Sequence, residues 1–297
     1  MSRLKPVICI LTAGFLWGCI PIFINGLAGT GLSTVGISSV RLFSAAIVYI
    51  VFLLIKDKKQ LHIHLRDIWM FILSGVVSIA LFNYLYSYTV IHSEASIAVV
   101  LLYTSPIFTM LLSAVFFKDK LTMKSIICLV LVFAGCVMVS GLLGGTAKLY
   151  LPVFLTGLGS GLFWGAYTIF SRISLKKYSS MTVSAWSMIL AGAVMIPFGI
   201  AEKVPAQIVQ NPTILLWGFG IAAVSTVTPF ALYTYGLQYI DSGKAAIMAT
   251  FELVVGNIVG MVLYHDSHEP IKILGILLSI AAIIILNLEF HKKVVDK

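Results

Sequence analysis

Glu252 is the residue best placed to do chemistry. It lies about eight residues into an apolar run, where a charge costs about 2.5–3.5 kcal/mol on insertion scales. A carboxyl at that depth either serves a cation or a proton, or stays neutral and hydrogen-bonded as a packing group. Arg41 is the second ionisable group, about seven residues into another apolar run. It is near enough to an end to snorkel toward lipid headgroups, or it binds a substrate carboxylate. The aromatic set is Trp17, Trp164, Tyr86, Tyr103, Tyr167, Tyr233 and Tyr235. Tryptophan and tyrosine normally collect at membrane interfaces. Trp17 and Trp164 fall in mid-run instead, where each indole N–H needs a partner. They pack against Gly14, Gly18, Gly161 and Gly165, or they line a pocket that faces Glu252.

An aromatic pocket with a carboxylate suits an organic ammonium through cation–π attraction. It suits a zwitterionic amino acid with an apolar side chain equally well. Asn83 shares a helical face with Tyr86, and Asn257 and Gln238 add hydrogen-bonding capacity. The candidate substrate-binding set is Trp17, Asn83, Tyr86, Tyr103, Trp164, Tyr167, Tyr233 and Glu252, with Glu252 also the coupling group. Glu94 and Asp241 fit helix N-terminal caps, where the dipole favours a carboxylate.

Other constellations carry less. His265-Asp266-Ser267-His268-Glu269 reads as a solvated loop rather than a metal site, and so does His62-x-His64. Gly157-Leu158-Gly159-Ser160-Gly161 offers a serine but no intramembrane histidine as its base, so glycine-mediated helix packing explains it. No Walker A loop is present, and no cofactor is implied. Cys9, Cys19, Cys128 and Cys136 lie in apolar runs without metal-type spacing and read as small buried hydrophobes.

The elements that hold these residues follow from composition. The 297 residues are 60% hydrophobic and only 10% charged. A water-soluble domain carries roughly 25% charged residues. Nucleic-acid binding, disorder and a soluble enzyme core are excluded as classes, and the net charge of +9 reflects loop lysines and arginines. Ten apolar segments approach the roughly 20 residues that span a bilayer as helix. They cover 6–25, 34–55, 68–90, 95–117, 123–141, 152–172, 181–200, 213–236, 244–264 and 271–289. Arg3 and Lys5 before the first run resemble a signal peptide, but the run is too long and lacks a small-residue cleavage site. With the N-terminus in the cytoplasm, 16 of the 20 Lys and Arg fall inside, three (Lys148, Lys203, Lys272) outside, and Arg41 within a span. The positive-inside rule therefore puts both termini in the cytoplasm.

The sequence also matches itself at an offset of 147. Gly14-Phe15-Leu16-Trp17-Gly18 falls on Gly161-Leu162-Phe163-Trp164-Gly165, Ile22-Phe23 on Ile169-Phe170, Tyr86 and Tyr88 on Tyr233 and Tyr235, and Asp119 on Asp266. Five segments precede the second copy, so the second half is inverted relative to the first. Residues 1–146 and 147–297 form the two units. Inverted repeats place the substrate near the midplane and favour alternating access. Around Glu252, Ala245, Ala249, Gly256 and Gly260 make a small-residue stripe whose mates at offset 147 include Leu102, Ser105, Thr109 and Ser113.

Five plus five helices, Trp-Gly in the first helix of each half and the run Phe-Lys-Asp-Lys-Leu-Thr at 117–122 resemble the EamA family of the drug/metabolite transporter superfamily. The resemblance covers about residues 6–289. Where the family has Glu-Pro in its second half, this chain reads Glu252-Leu253. Where the family has Gly-Glu near the end of its fourth helix, this chain reads Lys118-Asp119 and His265-Asp266. The resemblance implies export of amino acids or related metabolites across the cytoplasmic membrane. The expectation is an all-α membrane protein, not an enzyme, whose partners are a small-molecule substrate, the bilayer and protons as candidate coupling ions. A transporter of choline-like cations is the alternative. A membrane scaffold or an intramembrane enzyme ranks below both, because a scaffold has no use for central charges and no paired nucleophile and base is present.

Overall fold

The computed structural model describes residues 4–93, 95–140, 142, 150–265 and 269–288. Glu94, Lys148 and Asp266–His268, which bear on capping, charge and metal expectations, lie outside the described residues. Within them the chain is helical. Nine helical runs are long and apolar enough to cross a membrane: α1 (Leu4–Ala28), α2 (Thr34–Lys56), α3 (Leu65–His92), α4 (Ser96–Phe117), α6 (Leu151–Ser174), α7 (Ser180–Ala201), α8 (Thr213–Gly236), α9 (Ser242–Leu263) and α10 (Pro270–Asn287). The shorter apolar α5 (Met123–Val139) makes ten. They form two inverted five-helix repeats, α1–α5 and α6–α10.

The bundle is apolar on its outside, as lipid requires. Val115, Leu216 and Val262 are among its most exposed side chains. Its interior is rich in Ser and Thr, whose hydroxyls bond back to their own helices, as Ser39 does to the Val35 carbonyl at 2.9 Å and Thr89 to that of Leu85 at 2.8 Å. That arrangement satisfies polar groups where water is absent. Across the repeats α2 packs on α7 and α5 on α10.

Several helices are broken, and the breaks repeat. Helix α4 is interrupted at Tyr103-Thr104, between segments ending at Leu102 and resuming at Ser105. Helix α9 is interrupted at Thr250, between Ser242–Ala249 and Phe251–Leu263. In the 147 register the two breaks fall within one residue. At both, the backbone tightens to an i to i−3 bond, from the Thr104 N–H to the Leu101 carbonyl and from the Thr250 N–H to the Ile247 carbonyl, each 3.2 Å. Each threonine hydroxyl also donates to that same carbonyl at 2.6 Å. Pro106 accounts for the first break, since it lacks an N–H. No proline sits at the second. Helices α3 and α8 both carry π-helical stretches, Ile72–Ala80 and Ala223–Val227, at matching places. Such bulges occur often at functional sites.

Glycines set the close approach at these breaks. A Cβ on Gly14 would meet the Ala249 carbonyl oxygen at 3.1 Å, and one on Gly161 that of Leu102 at 3.2 Å. A Cβ on Gly18 would meet the Glu252 oxygen at 2.9 Å, and one on Gly165 that of Ser105 at 2.8 Å. Ala249 and Leu102, and Glu252 and Ser105, are mates at offset 147. So helix α1 grips the break of α9 as α6 grips the break of α4. These glycines therefore seat the broken helices, rather than serving as beds for Trp17 and Trp164.

Candidate substrate-binding site

The breaks carry Glu252 into the bundle centre. It stands in the first turn of the half-helix Phe251–Leu263, where the helix dipole favours a negative charge. Its surroundings come from both repeats. Tyr103 shares a smaller cavity with it, and Arg41 a larger one. The residue is only partly covered, because it forms wall in two adjoining cavities.

The larger cavity, of about 190 Å³, runs from the bundle centre to the end where α1 passes into α2. Trp17, Ile20 and Ile24 of α1 line it, with Thr34, Ile37, Ser38 and Arg41 of α2 and Phe82, Asn83, Tyr86 and Ser87 of α3. Leu102, Trp164 and Glu252 close its deep end. The smaller cavity, of about 20 Å³, has room for about one water. It shares Leu102, Trp164 and Glu252 with the first and adds Tyr103, Ser105, Thr109, Thr168, Tyr233 and Thr250. It acts as a neck below the larger chamber.

Trp17 and Trp164 stand together in this wall. Their rings meet edge to face at 5.5 Å, and both contact Phe230, at 5.3 and 5.6 Å. Such contacts are favourable beyond area burial. Trp17 is 3% exposed, and its indole N–H has no hydrogen-bond partner among the described residues. A buried donor without a partner is costly unless a ligand or water satisfies it. Asn83 donates to the Ile79 carbonyl of its own helix at 2.8 Å.

The structure brings Trp17, Asn83, Tyr86, Trp164 and Glu252 to the larger chamber and Tyr103 and Tyr233 to the neck. Tyr233 spends its hydroxyl on Thr168 at 2.9 Å. Tyr167 does not reach either wall position. It is fully buried behind Trp164, stacked at 5.8 Å and nearly parallel, with its hydroxyl on Thr234 at 3.0 Å. Tyr235 points away toward Lys5 and Tyr239. Gln238 is exposed at the end of α8, and Asn257 bonds back to the Leu253 carbonyl at 2.7 Å. Asp241 occupies the N-cap position of α9 but makes no capping bond; its carboxylate pairs with Lys244 at 3.4 Å.

Arg41 is the residue that sequence reasoning undervalued. It does not snorkel. Its Nε donates to the Thr226 hydroxyl at 3.0 Å, on the π-helical stretch of α8, and its side chain lines the same chamber as Glu252. No ion pair joins Arg41 to Glu252 among the described residues, so one chamber holds a cation and an anion apart. Its partner lies in a polar Ser225-Thr226 pair inside an apolar run, 185 residues away, and neither local spacing nor the 147 offset links the two. Arg41, Trp17 and Glu252 thus line one chamber, which offers both hydrogen-bond donors and a carboxyl. Among the described residues no group of three His, Cys, Asp or Glu side chains could hold a metal ion.

The sequence pattern of the EamA-like transporter family matches residues 4–141 and 151–288, two stretches that begin 147 residues apart. An uncharacterized transporter of Archaeoglobus fulgidus is 24% identical over 286 residues, covering 93% of this chain and 94% of its own. The uncharacterized inner membrane transporter YicL of Salmonella typhimurium is 23% identical, with 98% of each chain covered. A probable terminal-alkyne amino-acid exporter of Streptantibioticus cattleyicolor is 23% identical, covering 88% of this chain and 84% of that one. A crystal structure 15% identical in sequence matches the fold with a TM-score of 0.79 over 98% of this chain and 99% of that one. Two matched halves, ten helices and relatives named as transporters lead to one statement: this chain belongs to the EamA-like transporter family and is a multi-pass membrane transporter.

Proposed function

We propose that the protein moves a small zwitterion, an amino acid or close relative with an apolar side chain, across the cytoplasmic membrane, in the direction of export. The observation that carries this reading is the pairing of Arg41 and Glu252 in one chamber beside Trp17 and Trp164. Arg41 and the Trp17 indole N–H bind the carboxylate, and Glu252 binds the ammonium. The apolar side chain rests among Ile20, Ile24 and Ile37. Charge-assisted hydrogen bonds of this kind are each worth about 1.5–3 kcal/mol. A quaternary ammonium compound would use Glu252 and the aromatic wall but would meet Arg41 as a like charge, so the geometry favours the zwitterion. The amino-acid exporter among the relatives supports the same substrate class.

The inverted repeats supply alternating access. The basic-residue distribution supports cytoplasmic termini, and in that orientation the larger chamber opens outward. Glu252 doubles as the coupling group for protons, since a substrate ammonium and a proton compete for one carboxylate.

Ligand-dependent thermal shift on the purified protein tests the reading, with neutral and acidic amino acids, polyamines and choline in the panel. A ligand at 100 times its Kd adds about 2.7 kcal/mol to the native state. Neutral amino acids should stabilise the wild type, and choline should not. Glu252→Gln should weaken amino-acid binding by about 2–5 kcal/mol, at least some thirtyfold in Kd. Arg41→Gln should weaken it by about 1.5–3 kcal/mol and abolish discrimination against the decarboxylated amine. Stabilisation by choline that Arg41→Gln strengthens would replace the zwitterion with a cation.

A further inference from the structure

A second chamber of about 190 Å³ lies at the opposite end of the bundle, below the neck. Met110 and Ser113 of α4 line it, with Asp119, Thr122 and Ser125 at the α4–α5 connection and Asp241, Gly243 and Lys244 at the start of α9. Both broken helices thus pass from the neck into this chamber: α4 through Thr109 to Ser113, and α9 from Thr250 back to Gly243. A guanidinium ties the walls together at this end. Arg172, near the end of α6, bonds to Asp119, reaches the Ser242 hydroxyl at 3.2 Å and the Ser113 hydroxyl at 3.5 Å, and lies over the Phe117 ring at 4.2 Å. The Asp119 carboxylate also accepts a bond from the Ser113 hydroxyl. One side chain of the second repeat therefore ties α4 of the first repeat to α9, at the point where the two must separate for a solute to pass.

We propose that this chamber is the cytoplasmic port of the transport path, and that its latch, Arg172 on Asp119, opens when the carboxylate of an amino-acid substrate replaces Asp119 on Arg172. This rests on the zwitterion reading of the central site. The chemistry is an exchange of one carboxylate for another, so the guanidinium is paired throughout, and the released Asp119 carboxylate keeps the Ser113 hydroxyl and the nearby Lys244 charge. Both side chains of the latch are about a quarter exposed, which leaves the pair open to approach from the chamber. Protons do not release it at neutral pH. Burial pushes the Asp119 carboxyl up, but hydrogen bonds from Arg172 and Ser113 outweigh it and hold the carboxyl below the usual value of 3.8. A carboxyl depressed on folding contributes its stabilisation above its ordinary pKa and loses it only as pH falls through the lower, folded value. The charges of Arg172 of α6 and Lys244 of α9 lower the Asp119 carboxyl further, and Lys120 and Asp241 are the other charged residues lining the chamber.

The test is labelling of Met110→Cys, in a background with Cys9, Cys19, Cys128 and Cys136 replaced by serine or alanine, by a membrane-impermeant maleimide from the cytoplasmic face. The probes are leucine and phenylalanine, against isoamylamine and phenethylamine, which lack the carboxyl. Labelling should be slow without a probe, at least fivefold faster with the amino acids, and unchanged with the amines. Asp119→Asn should label fast with no probe, and Asp119→Glu should restore slow labelling. Arg172→Gln should raise the KM for transport from the cytoplasmic face about tenfold, while thermal shifts from binding at the outer chamber stay as in the wild type. Labelling that ignores both Asp119→Asn and the amino acids would overturn the latch. Equal acceleration by amines and amino acids would overturn the carboxylate exchange. Loss of amino-acid binding at the outer chamber in the wild type would instead sink the central reading, and the Asp119→Asn result would still decide whether the port is latched.

Discussion

The two repeats share one backbone plan and fill it differently. At offset 147, Trp17 matches Trp164 and Tyr86 matches Tyr233, so the aromatic frame is common to both. Asn83 of the first repeat corresponds to Phe230 of the second, and Ile20 to Tyr167. On the first side these residues border a chamber of about 190 Å³. On the second, Phe230 and Tyr167 are buried and pack on each other at 5.2 Å and on Trp164. The centre differs too, with Ser105 in one half and Glu252 in the other. A repeat alone makes a symmetric bundle. Side-chain size at a few mated positions decides which half is cavity and which is plug, and the single carboxylate decides what the cavity holds.

The sharpest way to break that contrast is to copy the second repeat into the first. Asn83→Phe should fill the chamber next to Trp17 and Trp164 and reduce amino-acid binding at least a hundredfold. Thermal stability should hold or rise, because the mate position already accepts that side chain. Calorimetric titration reads the binding, and scanning calorimetry reads the stability. Binding within threefold of the wild type would show that the substrate does not sit against Asn83.

Much of this was legible beforehand, for identifiable reasons. Span number, inversion and the aromatic frame follow from hydropathy and from a constant offset, and both survive in a single sequence. Glu252 stood out because an ionisable group deep in an apolar run has few explanations. Arg41 was harder, since the same position along a helix permits snorkelling, and only the facing helix decides. Its receptor, Thr226, is a long-range neighbour that no local pattern reveals. Tyr167 was misplaced for the converse reason. It is one turn from Trp164, but its mate Ile20 faces the chamber while Tyr167 faces Thr234. The break in α9 was hidden because its mark in α4, Pro106, is absent there.

The glycine seats give a stability contrast. Gly18→Ala would place its Cβ 2.4 Å from the Val255 Cβ and 2.9 Å from the Glu252 carbonyl oxygen. Overpacking of this kind costs typically 1–3 kcal/mol. Gly256→Ala, across the same contact, would meet its nearest atom at an ordinary 3.6 Å. The first should lower the thermal midpoint in detergent and weaken binding, because it pushes the Glu252 turn away. The second should do neither. Equal effects would mean that α1 does not set the position of the break.

Lys118 and His265 close α4 and the α9 end at mated positions, with φ of 56° and 57°. Left-handed backbone disfavours a side chain by roughly 1–2 kcal/mol, and glycine escapes the penalty. The similar family places glycine there. Lys118→Gly should therefore raise stability by up to about 1 kcal/mol with no change in Kd. A lower melting temperature would show that the Lys118 side chain contributes a contact larger than the strain it imposes.

The smallest effect belongs to the residue behind the wall. Tyr167→Phe keeps the ring stacked on Trp164 and removes only the hydroxyl bonded to Thr234. A neutral hydrogen bond is worth about 0.5–1.5 kcal/mol net, and the threonine left behind can rotate toward its own helix. Stability should fall within that range and the Kd for amino acids should not move. The same change at Tyr86, which lines the chamber, should alter the Kd while costing stability little. If Tyr167→Phe shifts affinity and Tyr86→Phe does not, the second repeat contributes the binding surface, and the division into cavity and plug is reversed in the state that binds.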